Sequence, residues 1–224
     1  MSSIPRVPRE ETSLRQRATQ TLRTAILDGV LAPGQKLSER ELCESLDVSR
    51  SCVRESLQHL QAEGLITSIA HRGPEVTSIS RTEVQDIYAV RASLESLAGR
   101  GFALNASGEQ RQALRAKLTE LTELVKPEMA GNQASMLNFK NQFYDILIEG
   151  CGNLVAGQML KQLNNRVTVL RRISMAQPGR LPNTLQELEA IVSAIEKRDG
   201  DTAARLCGEH VQKAAENVLL SMRT

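Results

Sequence analysis

The sequence predicts a mainly α protein in two parts: an N-terminal winged helix-turn-helix of three helices and a small β-hairpin, then an all-α helical bundle. Three observations carry this. The 224 residues include three Phe, two Tyr and no Trp, while Leu, Ala, Glu, Arg and Gln abound, the stock of helices rather than of sandwiches or barrels. Four segments, Ser38-x-x-Glu41, Ser80-x-x-Glu83, Ser107-x-x-Gln110 and Thr184-x-x-Glu187, fit the capping box, in which a hydroxyl and a carboxylate or amide satisfy first-turn N–H groups. Two short β-branched runs, "LITS" (65–68) and "EVTSI" (75–79), flank "IAHRGP", whose Gly-Pro pair reads as the tip of a hairpin.

In chain order, apolar spacing and these start signals predict helices over 13–29, 38–46, 49–63, 80–104, 107–128, 134–150, 153–174, 183–198 and 200–221. Helix, helix, helix, hairpin is the order of a winged helix, and the change to long helices falls at Ser80. The predicted division is a mobile tail over 1–12, a winged-helix domain over 13–79, and a helical domain over 80–224.

Composition narrows the function. Residues 1–80 hold ten bases, from Arg6 to Arg72, and ten acids, from Glu10 to Glu75, so nucleic-acid binding must rest on where the bases sit. Cys43, Cys52, Cys151 and Cys207 lie far apart with no C-x-x-C pair, which indicates reduced thiols rather than a disulfide framework or zinc knuckle. The start "MSSIPRVPREETS" has no apolar segment, and no apolar run approaches the roughly 20 residues of a membrane span. A cytoplasmic location without a membrane partner is expected.

The stretch "LDVSRSCVRESLQHLQAEGLI" (46–66) is the most informative. Val53, Leu57 and Leu60 form an apolar stripe from Ser49 onward, and Ser51, Arg54 and Gln58 project from an adjacent face. Arg50, Ser51 and Arg54 sit at the positive end of the helix dipole, where phosphates and base edges are most easily engaged. An arginine there can hold guanine O6 and N7 with two parallel hydrogen bonds. The same pattern also fits an ordinary solvated helix. In the hairpin, Arg72 beside Gly73 is placed to enter a minor groove, since Gly lets the backbone approach closely; His71 is the weaker candidate.

Residues 22–76, with LR..I.DG.L.PG..L.ER.L, then VSR..VRE.L..L..EGL, then RG..V, resemble the DNA-binding domain of the GntR family of bacterial transcription regulators. The resemblance implies a homodimer on double-stranded operator DNA. It implies DNA contacts by Arg40, Arg50, Ser51, Arg54 and Gly73. This chain has Ser51-Cys52 where the family usually has Thr-Pro, so the Pro at the helix start is missing.

Residues 81–224 resemble the ligand-sensing FCD domain of the FadR subgroup, through "VRASLE" (90–95), "FYDILIEGCGN" (143–153) and "AIVSAIEKRDGDTAARLCGEHV" (190–211). Many members of that subgroup hold a divalent metal with one Asp and three His. The corresponding positions here are Lys140, Tyr144, Leu188 and His210, and a lone imidazole opposite a lysine does not hold zinc. No metal or other cofactor is expected. Lys140 and Tyr144 lie one helical turn apart, and Arg91 shares a helix face with Ile87, Tyr88, Leu94 and Ala98. Arg91, Lys140, Tyr144 and His210 are therefore the candidate effector site, suited to a small carboxylate. The alternative is that Arg91 pairs with Glu95, Lys140 snorkels to solvent and Tyr144 is core.

The reading that results is a ligand-responsive DNA-binding regulator, a repressor controlled by a small organic acid, and not an enzyme. An enzymatic helical domain is poorly supplied, with three histidines and no nucleophile–base constellation or phosphate-cradling loop. A scaffold that lost both activities does not account for Arg40, Arg50 and Arg54.

Overall fold

A computed structural model describes residues 12–69, 73–124, 133–175 and 179–222. The chain divides into two compact units, one ending at Ile79 and one starting at Ser80. The first contains α1 (Thr12–Leu27), α2 (Glu39–Leu46), α3 (Arg50–Ala62), β1 (Ile66–Ile69) and β2 (Gly73–Val76). Its apolar stripe closes as the spacing requires: Val53, Leu57 and Leu60 of α3 are buried with Ala18, Leu22 and Ile26 of α1 and Leu65, Ile66 and Val76 of the hairpin. The pairing of α1 with α3 is pinned by a buried Thr19–Ser56 hydroxyl bond of 3.0 Å and by Arg23, whose Nε donates to Glu63 Oε2 at 2.8 Å.

Ser38 and Ser49 cap α2 and α3, accepting from Glu41 N and Cys52 N. The tight turn between these helices uses Asp47 in the left-handed region at φ 49°, one of the short polar residues that tolerate it. The strands pair antiparallel from Ile66↔Val76 to Ile69↔Gly73. Gly73 and Pro74 are thus the first residues of β2, not the hairpin tip that the Gly-Pro pair suggested. The pairing reaches two residue pairs further out than the β-branched runs indicate. The tip, with His71 and Arg72, lies outside the described residues, as does all of the predicted tail except Thr12.

The second unit contains α4 (Arg81–Asn105), α5 (Gly108–Leu124), α6 (Gln133–Gly150), α7 (Leu154–Met175), α8 (Arg180–Glu196) and α9 (Gly200–Ser221). Helices α4 and α9 run antiparallel along its centre: Arg81 Nη1 donates to the Leu219 carbonyl at 2.7 Å at one end, and Arg100 meets Asp201 at the other. Small residues set their separation. A Cβ on Gly99 would lie 2.6 Å from Cys207 Sγ, so the helices approach as closely as glycine permits. Around this pair a single core gathers Phe102, Leu114, Leu118, Phe143, Leu147, Leu188, Ile191 and Ile195.

The capping boxes divide in their outcome. At the start of α5 the box is reciprocal: Gln110 N donates to Ser107 Oγ at 3.1 Å and Ser107 N to Gln110 Oε1 at 2.9 Å. Ser80 caps α4, but Glu83 turns away to Arg166 at 2.9 Å. The box at Thr184 does not form. Helix α8 begins four residues earlier, after Gly179, so Thr184 is fully buried inside the helix and Glu187 is free for other work. Pro182 sits in the first turn, where a missing N–H leaves no helical bond unmade. No described helix is long and apolar enough to cross a membrane.

Candidate functional site

The first unit carries its candidate DNA-contacting residues on α2, on α3 and at the start of β2. Arg50 is the first residue of α3, is exposed, and has no hydrogen-bond or ion-pair partner among the described residues. Ser51 is exposed beside it, with its hydroxyl 3.0 Å from Ser49 Oγ. Arg54, one turn on, is held by Glu39 through Nε alone, at 2.8 and 3.0 Å. This orients the guanidinium, and its two Nη groups, which can make a bidentate contact to guanine, have no partner among the described residues. Arg40 projects from α2 and makes only a loose 3.8 Å approach to Glu44. Gly73 has φ 81° and open space around it, so backbone conformation rather than crowding requires glycine there.

The second unit contains a buried polar centre, richer than the four residues the sequence singled out. Arg91 is 1% exposed; its Nε donates to Glu95 Oε1 at 2.5 Å and its Nη2 to Tyr144 Oη at 3.3 Å. Its guanidinium also lies over the Tyr88 and Tyr144 rings, and Arg171 lies over the Tyr144 ring as well, 4.3 Å from its centroid. Both parts of the alternative for this pair therefore hold: Arg91 is paired with Glu95, and Tyr144 is core. Lys140 does not snorkel. It is 4% exposed and has no hydrogen-bond or ion-pair partner among the described residues.

His210 belongs to a second cluster in the same centre. Glu187 is clamped by Arg180, Nη1 to Oε1 at 2.8 Å and Nη2 to Oε2 at 2.9 Å, and its Oε2 lies 2.5 Å from His210 Nδ1. Lys213 approaches the same carboxylate at 3.6 Å. Lys140 links the clusters electrostatically, because it feels Arg171, Arg180 and Arg91 against Glu95. Among the described residues the centre holds four basic side chains, Arg91, Lys140, Arg171 and Arg180, and two carboxylates, Glu95 and Glu187.

That imbalance appears in the proton affinities. Burial drives Lys140 well below its ordinary value, and the surrounding guanidinium groups drive it further. Burial and then Arg91 pull Arg171 down to about 10. Burial is the largest single influence on Arg91 and lowers it, but Glu95, Tyr144 and Tyr88 together outweigh burial and the net shift is upward. Burial opposes the ionisation of Glu187, yet hydrogen bonds from His210 and Arg180 hold it down at about 2. Burial lowers His210 to about 3, so at neutral pH the imidazole is uncharged.

Several buried polar atoms in the centre have no hydrogen-bond partner among the described residues: Tyr88 Oη, Arg91 Nη1, Arg180 Nε, Thr184 Oγ1 and His210 Nε2. Buried donors and acceptors are rarely left unmade. Two cavities are lined by some of these residues. One, of about 20 Å³, is lined by Arg91, Glu95, Tyr144 and Arg171 and has room for one water. The other is a groove of about 540 Å³ between α8 and α9 with Arg180, Glu187 and His210 along it. The structure therefore separates the four sequence candidates: Arg91 and Tyr144 lie at the small cavity, His210 at the groove, and Lys140 couples electrically to both.

A divalent metal does not fit. The positions that hold the metal in many FCD domains carry Lys140, Tyr144, Leu188 and His210, of which only the imidazole is a good ligand. No cluster of three His, Cys, Asp or Glu occurs among the described residues.

An exposed helix-turn-helix with arginines at the start of its second helix, next to an independent helical unit with a charged interior, defines a DNA-binding transcription regulator. Residues 14–76 match the family of bacterial regulatory proteins termed gntR and residues 86–213 match the FCD domain. The chain belongs to the GntR family of bacterial regulatory proteins, in its FCD-containing branch. It is 27% identical to the HTH-type transcriptional repressor RspR of Escherichia coli over 92% of this chain and 89% of that one. It is 25% identical to the HTH-type regulator YdhC of Bacillus subtilis over 88% and 87%. The fold is similar to that of E. coli McbR/YncC, with a TM-score of 0.77 at 19% identity over 95% of this chain and 100% of that one.

Proposed function

We propose that the protein is a homodimeric repressor whose hold on operator DNA is set by a small carboxylate bound without metal in the helical unit. The observation that carries the effector reading is Lys140, a buried amine with no hydrogen-bond or ion-pair partner among the described residues. An unpaired amine is costly in an interior, so an anion that pairs with it is favoured. Arg180 and His210 are the contact candidates at the groove, and Lys140, Arg91 and Tyr144 supply potential and support behind them. Repressor action is supported by the RspR relative, which is named a repressor. The experiment is a thermal-shift series with citrate, malate and sulfate on protein stripped with chelator. The expected result is stabilisation that persists without metal; stabilisation only after zinc or nickel is added would overturn the reading.

Two half-sites read by two winged helices supply the specificity one module lacks. A row of exposed apolar residues on α4, Val90, Leu97 and Leu104, seven apart and each about half exposed, supports self-association. On an operator selected from random DNA, titration by fluorescence anisotropy is expected to give two chains per site. Arg50→Ala and Arg54→Ala are each expected to cost roughly 1–3 kcal/mol of specific binding with the thermal midpoint unchanged. Full affinity in both variants would remove these residues from the interface.

A further inference from the structure

An acid stands among the residues read as DNA contacts. Glu39, the first residue of α2, grips Arg54 of α3: both carboxylate oxygens accept from Arg54 Nε, Oε2 at 2.8 Å and Oε1 at 3.0 Å. A carboxylate on such a surface repels phosphate, so its place there needs a cause. The helix dipole supplies only part of one, because Glu41 meets the same first turn. Stability supplies little more: the side chains of the pair are 60% and 31% exposed, and exposed ion pairs add little to folding.

The cause lies in the guanidinium. An arginine offers two forks for two parallel hydrogen bonds, one formed by Nε with an Nη group and one by the two Nη groups. Glu39 occupies Nε, which closes the first fork to DNA and leaves the second, whose Nη groups have no partner among the described residues. Both ends of the grip are anchored. Ser38 caps the turn that carries Glu39, Ser49 caps α3, and Val53 beside Arg54 is fully buried. Arg50, one turn earlier, has no such acid partner among the described residues and can settle on whichever phosphate is near. An unheld guanidinium at position 54 would do the same, and phosphate contacts carry no sequence information. We propose that Glu39 is a positioning residue for operator recognition: by holding Nε it aims the Nη fork of Arg54 at one base pair and so makes that pair specific. The inference rests on the reading of Arg54 as a base contact.

Full-length wild type, Arg54→Ala, Glu39→Ala and Glu39→Gln are titrated by fluorescence anisotropy against the operator selected from random DNA and against duplexes that each carry one changed base pair. Arg54→Ala is expected to flatten discrimination at one base pair in each half-site, which marks the pair it reads. Glu39→Ala is expected to lose about tenfold in discrimination at that same pair, the scale of one bidentate contact, and to keep it at the others. Glu39→Gln is expected to keep it throughout, since its amide oxygen still accepts from Nε. A merely structural Glu39 would let α2 shift and weaken recognition at several pairs together, including any read by Arg40. Unchanged discrimination in Glu39→Ala, a loss spread over several pairs, or a Glu39→Gln profile as flat as that of Glu39→Ala would each overturn the positioning role and leave the reading of Arg54 standing. An Arg54→Ala profile identical to that of the wild type would overturn both.

Discussion

Replacement of Glu95 by alanine is expected to destabilise the protein by about 3–5 kcal/mol, a large share of a typical folding free energy. Glu95 is 2% exposed and pairs with Arg91, itself 1% exposed, with Arg171 stacked on the same tyrosine. Without the carboxylate two guanidinium groups lie near the Tyr144 ring and Arg91 loses its buried anion. Surface pairs of similar length behave differently. Arg205–Glu209 has the same four-residue spacing at 2.7 Å, but both partners are about half exposed, and its loss is worth less than about 1 kcal/mol. Urea denaturation of Glu95→Ala and Glu209→Ala side by side measures the contrast. Comparable losses would show that the interior is well hydrated and that the charge imbalance there has little energetic weight. A further outcome follows from the proposed function: a bound anion should recover part of the Glu95→Ala loss, because it replaces one negative charge in the same centre.

Much of this architecture was legible because helix starts are written locally. Ser38, Ser80 and Ser107 each cap the helix their spacing predicts, and these are decided by side chains within one turn. Thr184 failed by the same logic. Its spacing to Glu187 satisfied the local rule, but Glu187 is taken by Arg180 and His210, contacts that depend on how α8 meets α9. That misreading started α8 at 183 and so kept Arg180 off the helix face where it would have stood out. Arg91 was found from its apolar neighbours on α4. Arg171 carries the same signal, sharing a buried face with Val167, Leu170 and Ser174, and a uniform search for charged residues on buried faces would have returned it. Lys140 and Tyr144 drew notice through resemblance to metal-binding relatives. Nothing local in "NFKNQFYD" announces that Lys140 is buried with no partner among the described residues. At the DNA edge, the positions of Arg50 and Arg54 were readable from the helix start, whereas the hold of Glu39 on Arg54 Nε is a tertiary contact between α2 and α3.

Lys140→Met is expected to produce opposite changes in stability and in ligand affinity. Methionine preserves length and removes the ammonium from a site that three guanidinium groups already make positive, so without ligand the variant should be more stable, on the order of 1–4 kcal/mol near neutral pH. The pH dependence gives the signature. In the unfolded chain the lysine titrates near its free value of about 10.4, while in the fold it titrates lower, because burial and then Arg171, Arg180 and Arg91 disfavour the charge despite Glu95. Between those two points the unfolded chain holds the extra proton. Wild-type stability therefore rises with pH in that window by about 1.4 kcal/mol per unit from this group, and the advantage of the variant shrinks accordingly as pH approaches about 10.4. Titration of Arg171 and Glu187 is common to both proteins and cancels in the difference to first order. Anion binding runs the other way: an incoming carboxylate favours the protonated amine, so the wild type takes up a proton on binding and binds more tightly as pH falls, and the variant loses both effects. Urea denaturation from pH 6 to 9 in chelator, together with calorimetry of malate in two buffers of different ionisation enthalpy, measures the two signatures. Parallel stability curves for wild type and Lys140→Met would mean that Lys140 titrates in the fold as it does in the unfolded chain. Proton uptake of equal size in both would assign the proton to another group of the centre.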